Sequence, residues 1–112
     1  MKYEVLLVEE VEEFILSLPI KTQAKIQRTL DLLRDFGYKL SLPHSKILIE
    51  RKKLKELRIK LGTDICRLFY FHYKDKTYVV VSGYMKKDQK TSIREIEKAL
   101  LIMKQIEEDS NV

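Results

Sequence analysis

Apolar positions recur along this chain with two different periods, and the switches between them mark out its elements. Tyr3 to Val8 is a short apolar run containing β-branched residues and reads as a first strand. Behind it, Val11, Phe14, Ile15 and Leu18 fall at helical spacing. Glu9, Glu10, Glu12 and Glu13 crowd the first turns, where carboxylates suit the positive end of the helix dipole. Pro19 ends that helix. A second runs from about Lys21 to Phe36, with Ile26, Leu30 and Leu33 on one face and Gly37 as its stop, so the two are expected to form an antiparallel hairpin.

The stretch from Tyr38 to Lys53 reads as loop with one short edge strand at Ile47–Ile49. Three runs follow with the period of a strand: Leu54–Leu61, Asp64–Tyr73 and Thr77–Lys86. Gly62-Thr63 and Lys74-Asp75-Lys76 separate them as turn signals, which predicts an antiparallel meander. Ser92 stands three residues before Glu95, the spacing of a capping box, and opens a last helix with Ile93, Ile96, Ala99, Leu100 and Met103 on one face. The order β-α-α-β-β-β-α is an α+β fold with an antiparallel sheet packed against helices.

Length and composition narrow the picture. At 112 residues and 45% hydrophobic content, the chain supports one compact core, and residues 1–112 are expected to be a single domain with a disordered tail from about 108 to 112. No apolar run approaches the length that spans a bilayer, and the first residues lack the apolar stretch of a secretory signal, so a cytoplasmic protein without membrane partners is expected. The lone Cys66 sits among alternating apolar residues and reads as a small buried hydrophobe.

Charge changes the picture more. Residues 46–60 hold seven basic residues (Lys46, Arg51, Lys52, Lys53, Lys55, Arg58, Lys60) against Glu50 and Glu56, a surplus equal to the whole net charge of +5. A positive field concentrated on one loop and strand favours a polyanion such as nucleic acid.

Register sharpens this. With Gly62-Thr63 as a two-residue turn, Leu61 pairs with Asp64, Ile59 with Cys66, Arg58 with Arg67 and Leu57 with Leu68. One face then carries Leu57, Ile59, Cys66, Leu68 and Tyr70, joined by Val79, Val81 and Met85 if Asp75-Lys76 is the next turn. The other carries Glu56, Arg58, Lys60, Arg67, Phe69, Ser82, Tyr84 and Lys86, with Arg58, Arg67 and Tyr84 in one row. Two arginines directly opposite each other repel, at a cost of a few tenths to about 1 kcal/mol. An anion between them removes that repulsion, and the forked guanidinium matches phosphate oxygens in pairs. A structural alternative is an ion-pair network, with Glu56 neutralising one arginine and Glu107 or Glu108 the other.

His44 and His72 have no neighbouring ligand partners for a metal, and neither a phosphate-binding glycine loop nor a nucleophile elbow is present. His72 falls among the core-face positions and reads as structural. A site built of cations and phenol can cut RNA if the RNA's own 2′-hydroxyl attacks the adjacent phosphate, leaving the protein to position, stabilise charge and move protons. Arg58 and Arg67 would meet the charge on phosphoryl oxygens, Lys86 or Lys87 would serve the leaving oxygen, and Glu56, Tyr84 and His44 are the candidates for general base. No metal or other cofactor is called for.

Several motifs, in this order and at these spacings, resemble one family. They are Leu42-Pro-His-Ser-Lys46, Leu54-Lys-Glu-Leu-Arg58-Ile, Cys66-Arg67-Leu-Phe-Tyr70-Phe, Gly83-Tyr-Met-Lys86-Lys87-Asp-Gln-Lys90-Thr91 and Glu95-Ile96-Glu97-Lys98-Ala99. Together they are similar to the RelE/HigB-type toxins of the phage-derived Gp49-like branch of the RelE/ParE superfamily. The resemblance implies the RelE/ParE fold and a type II toxin–antitoxin system. It also implies ribosome-dependent cleavage of messenger RNA, blocked by a cognate, HigA-like helix-turn-helix antitoxin through which alone DNA would be met. Residue by residue, it carries catalytic roles to Arg58, Arg67, Lys86 and Lys87, and it extends the RNA- or ribosome-binding set (Lys46, Arg51, Lys52, Lys53, Lys55, Lys60) to Lys90. The chain departs from the family pattern at Tyr84, where Phe is frequent, and at Ser92, where Pro is common. Two other functions are compatible with the resemblance: a ParE-like poison of DNA gyrase that cuts nothing, and an inactive antitoxin-binding protein.

Overall fold

The structure, a computed structural model, describes residues 2–41, 43–49, 53–86 and 92–109. Its elements are β1 (Glu4–Leu7), α1 (Glu9–Leu16), α2 (Ile20–Phe36), a 3-10 turn (Gly37–Lys39), β2 (Ser45–Ile49), β3 (Leu54–Leu61), β4 (Asp64–Lys74), β5 (Thr77–Lys86) and α3 (Ile93–Asp109). The strands form one sheet in the order β1-β5-β4-β3-β2, with β1 parallel to β5 and the other pairs antiparallel. The expected meander is therefore its centre, β1 and the short β2 are its edges, and the fold is α+β as the pattern of elements predicted. No helix among the described residues is long and apolar enough to cross a membrane. Glu108 and Asp109, expected in an unstructured tail, belong instead to the last turn of α3, which continues the helical period of Met103 and Ile106. Residues 110–112 lie outside the described residues.

Helices cover both faces of the sheet. On the first face, Val11 and Ile15 of α1 and Ile26, Leu30 and Leu33 of α2 pack on Leu57, Ile59, Cys66, Leu68, Tyr70 and Val80. Leu30 and Leu33 are fully buried, so truncating either to Ala should cost about 2–5 kcal/mol. Cys66 is buried in this layer, and desolvation pushes its thiol up to about 12, so it carries no thiolate at neutral pH. On the second face, Ala99 and Met103 of α3 pack on Leu54, Phe69, Phe71, Val79 and Val81.

The register of β3 and β4 is the one the turn predicted, from Leu61 with Asp64 to Leu57 with Leu68, with Gly62 at φ +67° in the turn. Between β4 and β5 it is interrupted twice. Phe69 pairs with Ser82 but Tyr70 pairs with Val80, and His72 pairs with Tyr78 but Lys74 with Thr77. Each interruption inserts one residue into one strand, first Val81 and then Tyr73, and the two insertions cancel. Arg67 consequently pairs with Tyr84 as expected. Val79 and Val81, however, expected on the face of Leu57, lie under α3 on the other, while Tyr78 and Val80 take the first face.

His72 corrects its expected burial. Its backbone is on the first face, but the side chain is exposed, with Nε2 2.6 Å from the carbonyl oxygen of Asp75 in the β4–β5 turn.

Candidate active site

Three cross-strand rows on the second face build the site beside the N-terminus of α3. The middle row is Arg58–Arg67–Tyr84, with the Arg58 amide donating to the His44 carbonyl at 2.8 Å and so placing exposed His44 across from it. One row toward α3 are Lys46, Glu56, Phe69 and Ser82; one row away are Lys60, Ile65 and Lys86.

The predicted facing of Arg58 and Arg67 is present, and so is the answer to their repulsion. Arg67 Nη1 donates to both carboxylate oxygens of Glu56, at 2.9 and 3.0 Å, and Arg58 Nε lies 3.4 Å from Glu56 Oε1. The ion-pair alternative weighed from sequence is thus realised at Glu56, which serves both arginines. Glu56 is 0% exposed and Arg67 1%, whereas the Arg58 side chain is 22% exposed. Of the two arginines gathered on Glu56, Arg58 is the one that reaches solvent. Beside it, Pro43, Arg58, Lys60 and Ile65 line a cleft of about 210 Å³.

These distances redistribute the expected roles. Glu56, one of the expected candidates for general base, is fully buried with both oxygens engaged by Arg67, where it holds that guanidinium group in place. A buried pair of this kind offsets its own desolvation only when its geometry is good, and both short contacts from Arg67 supply that. Arg67 is buried across from the part-exposed Arg58 and is paired with Glu56.

Tyr84 is half-buried, its ring edge-on to Phe69 at 5.7 Å, and its hydroxyl accepts the Ser92 amide at 3.0 Å. Burial raises its pKa above the usual tyrosine value, against the lowering effect of the Ser92 amide and Arg67. It is therefore a neutral phenol at physiological pH, able to donate a hydrogen bond.

The remaining candidates divide. Lys46 and Lys60 are exposed on this face, while Lys53 and Lys55 line a pocket on the opposite one, so the basic run does not form a single patch. Lys86 closes β5 opposite Ile65. Lys87, Lys90, Arg51 and Lys52 lie outside the described residues. Among the described residues no three of His, Cys, Asp or Glu cluster as metal ligands.

Sequence reasoning singled out Ser82, Ser92 and Glu95 but missed two contacts among them and Tyr84. Ser82 donates to Glu95 at 2.9 Å, and the Ser92 amide goes to Tyr84. The capping-box spacing was a true signal, because Ser92 Oγ accepts the Glu95 amide at 3.4 Å. The reciprocal half is spent on the sheet: Glu95 and the Ser92 amide fasten the start of α3 to β5 beside the arginine row.

This architecture is a RelE-type fold. The chain is similar to RelE in the crystal structure of the archaeal RelE–RelB complex from Pyrococcus horikoshii OT3, with a TM-score of 0.56, 22% identity, and coverage of 81% of this chain and all of that one. More particularly, residues 13–104 match the family model described as "Phage derived protein Gp49-like (DUF891)", and the chain belongs to that family. The branch indicated by the ordered motifs is borne out. No curated protein matched the chain.

Proposed function

We propose that this protein is the toxin of a type II toxin–antitoxin pair, a cytoplasmic endoribonuclease that cuts messenger RNA on the ribosome without a metal ion. The observation that carries this reading is the partly exposed Arg58, backed by the buried Glu56–Arg67 pair and bordered by the Lys60 cleft, in a Gp49-like chain. Such a site matches a phosphodiester: a forked cation for the phosphoryl oxygens and a positive border for the backbone.

The RNA supplies the nucleophile. The 2′-oxygen attacks the adjacent phosphorus as its proton passes to a base, for which exposed His44, across from Arg58, is the remaining candidate. Charge growing on the phosphoryl oxygens is met by Arg58, with Arg67 reinforcing the local positive potential. The bond to the 5′-oxygen breaks, and that oxygen takes a proton from Tyr84, Lys86 or Lys87. The products are a 2′,3′-cyclic phosphate and a 5′-hydroxyl end.

The RelE neighbour is crystallised with RelB, which supports a protein antitoxin for this chain as well. We take that antitoxin to be a HigA-like helix-turn-helix protein that shields the basic face and brings the pair to DNA.

Purified protein added to programmed ribosomes, and in parallel to a gyrase supercoiling reaction, tests the assignment. Discrete cuts in the message with unimpaired supercoiling are expected. Inhibited supercoiling with an intact message would replace the nuclease by a gyrase poison.

A further inference from the structure

The two lysines of the basic run that do not join the arginine row have a place of their own. Lys55 and Glu56 are neighbours in β3 and project to opposite faces, and Lys55 reaches a pocket of about 610 Å³ beyond the end of α2. Four aromatic rings line it: Tyr3, Tyr38, His72 and Tyr78. Tyr78 is buried and forms the floor, with Tyr3 edge-on to it at 5.6 Å and His72 tilted against it at 5.3 Å. Tyr38 is 65% exposed at the mouth.

The rings are held by groups outside the pocket. Tyr3 packs so closely on Gly37 that a Cβ there would lie 2.4 Å from the ring, and Gly37 also has φ +53°, which disfavours any side chain. The contact between His72 Nε2 and the Asp75 carbonyl fixes the imidazole. Among the described residues, Lys53, Lys55 and Lys76 border the pocket against one carboxylate, Asp75.

Exposed aromatic faces framed by lysines suit a ligand that has both a flat π-system and negative charge. The volume lies within the range of small-ligand sites and holds one such unit. We propose that this pocket is a nucleotide-binding site, with the base stacked on Tyr38 and Tyr3 and the phosphate held by Lys53, Lys55 and Lys76. The nucleotide is either free or one unit of a single-stranded RNA. The site lies on the opposite face of the sheet from Arg58 and does not depend on whether that face cuts RNA.

Isothermal titration of the full chain tests this. The ligands are the four nucleoside 5′-monophosphates, ribose 5-phosphate, and an RNA trinucleotide, each also titrated into Arg58→Ala so that the arginine row does not contribute. Saturable nucleotide binding is expected to persist in Arg58→Ala, to be at least about tenfold weaker in Tyr38→Ala through lost stacking, and to be weakened again in Lys76→Glu. Both substitutions are at exposed positions, so loss of fold does not imitate loss of binding, and circular dichroism verifies this. Monophosphates binding as tightly as the trinucleotide would identify a free nucleotide as the ligand, and tighter trinucleotide binding would identify an RNA strand. The proposal is overturned if no nucleotide binds Arg58→Ala, if ribose 5-phosphate binds as well as the nucleotides, or if Tyr38→Ala and Lys76→Glu both keep wild-type affinity.

Discussion

Arg67→Ala is expected to cost about 3–5 kcal/mol of folding stability, a loss far larger than the removal of a surface arginine would cause. The substitution leaves the fully buried Glu56 carboxylate without the two short hydrogen bonds from Nη1, and Arg58 at 3.4 Å replaces them only in part. A loss of toxicity in this variant would therefore report on folding before it reported on catalysis. Pairing the change with Glu56→Gln separates the two. Because the second substitution removes the stranded charge, the double variant is expected to be more stable than Arg67→Ala alone in chemical denaturation. If the two losses simply added, Glu56 and Arg67 would not be coupled and the arrangement of the row would be wrong.

Arg58→Ala is the cleaner probe of function. Its side chain is partly exposed, and Glu56 keeps both contacts to Arg67 when it is removed. Stability should change by about 1 kcal/mol or less. Cleavage of ribosome-bound message should fall about a hundredfold to a thousandfold, the usual consequence of deleting one donor to a charged transition state. Arg58→Lys should recover little of it, because an ammonium group does not reproduce the fork. Single-turnover cleavage rates beside a denaturation curve for each variant give both numbers.

The arginine row was legible in the sequence because strong local signals set its register. Gly62-Thr63 placed Arg58 opposite Arg67, and two compensating bulges left Tyr84 beside them. The same bulges were invisible in the pattern, since Tyr78, Val79, Val80 and Val81 are all apolar and a one-residue slip among them changes no polarity. Val79 and Val81 were assigned to the wrong face for that reason.

Burial was the second thing hidden. Charge counting treats Arg58 and Arg67 alike, and only packing shows that Arg67 lies beneath the surface with Glu56 while Arg58 faces solvent. The basic run misled in a similar way. Alternation along β3 sends Lys55 to one face and Arg58 to the other, so one cluster in sequence divides between two faces of the sheet. The capping-box spacing found the start of α3 correctly, yet spacing does not tell that Glu95 would bond Ser82 in β5.

The central claim is that this face of the sheet cuts RNA with the RNA's own 2′-hydroxyl as the nucleophile. A programmed ribosome carrying a message with a single 2′-deoxynucleotide on the 5′ side of the mapped cleavage site tests it most directly. In the presence of a chelator, the all-ribose message is expected to be cut to a 2′,3′-cyclic phosphate end, and the substituted message to survive at that position. Cleavage of the deoxy-substituted message at the same site and rate would contradict the account.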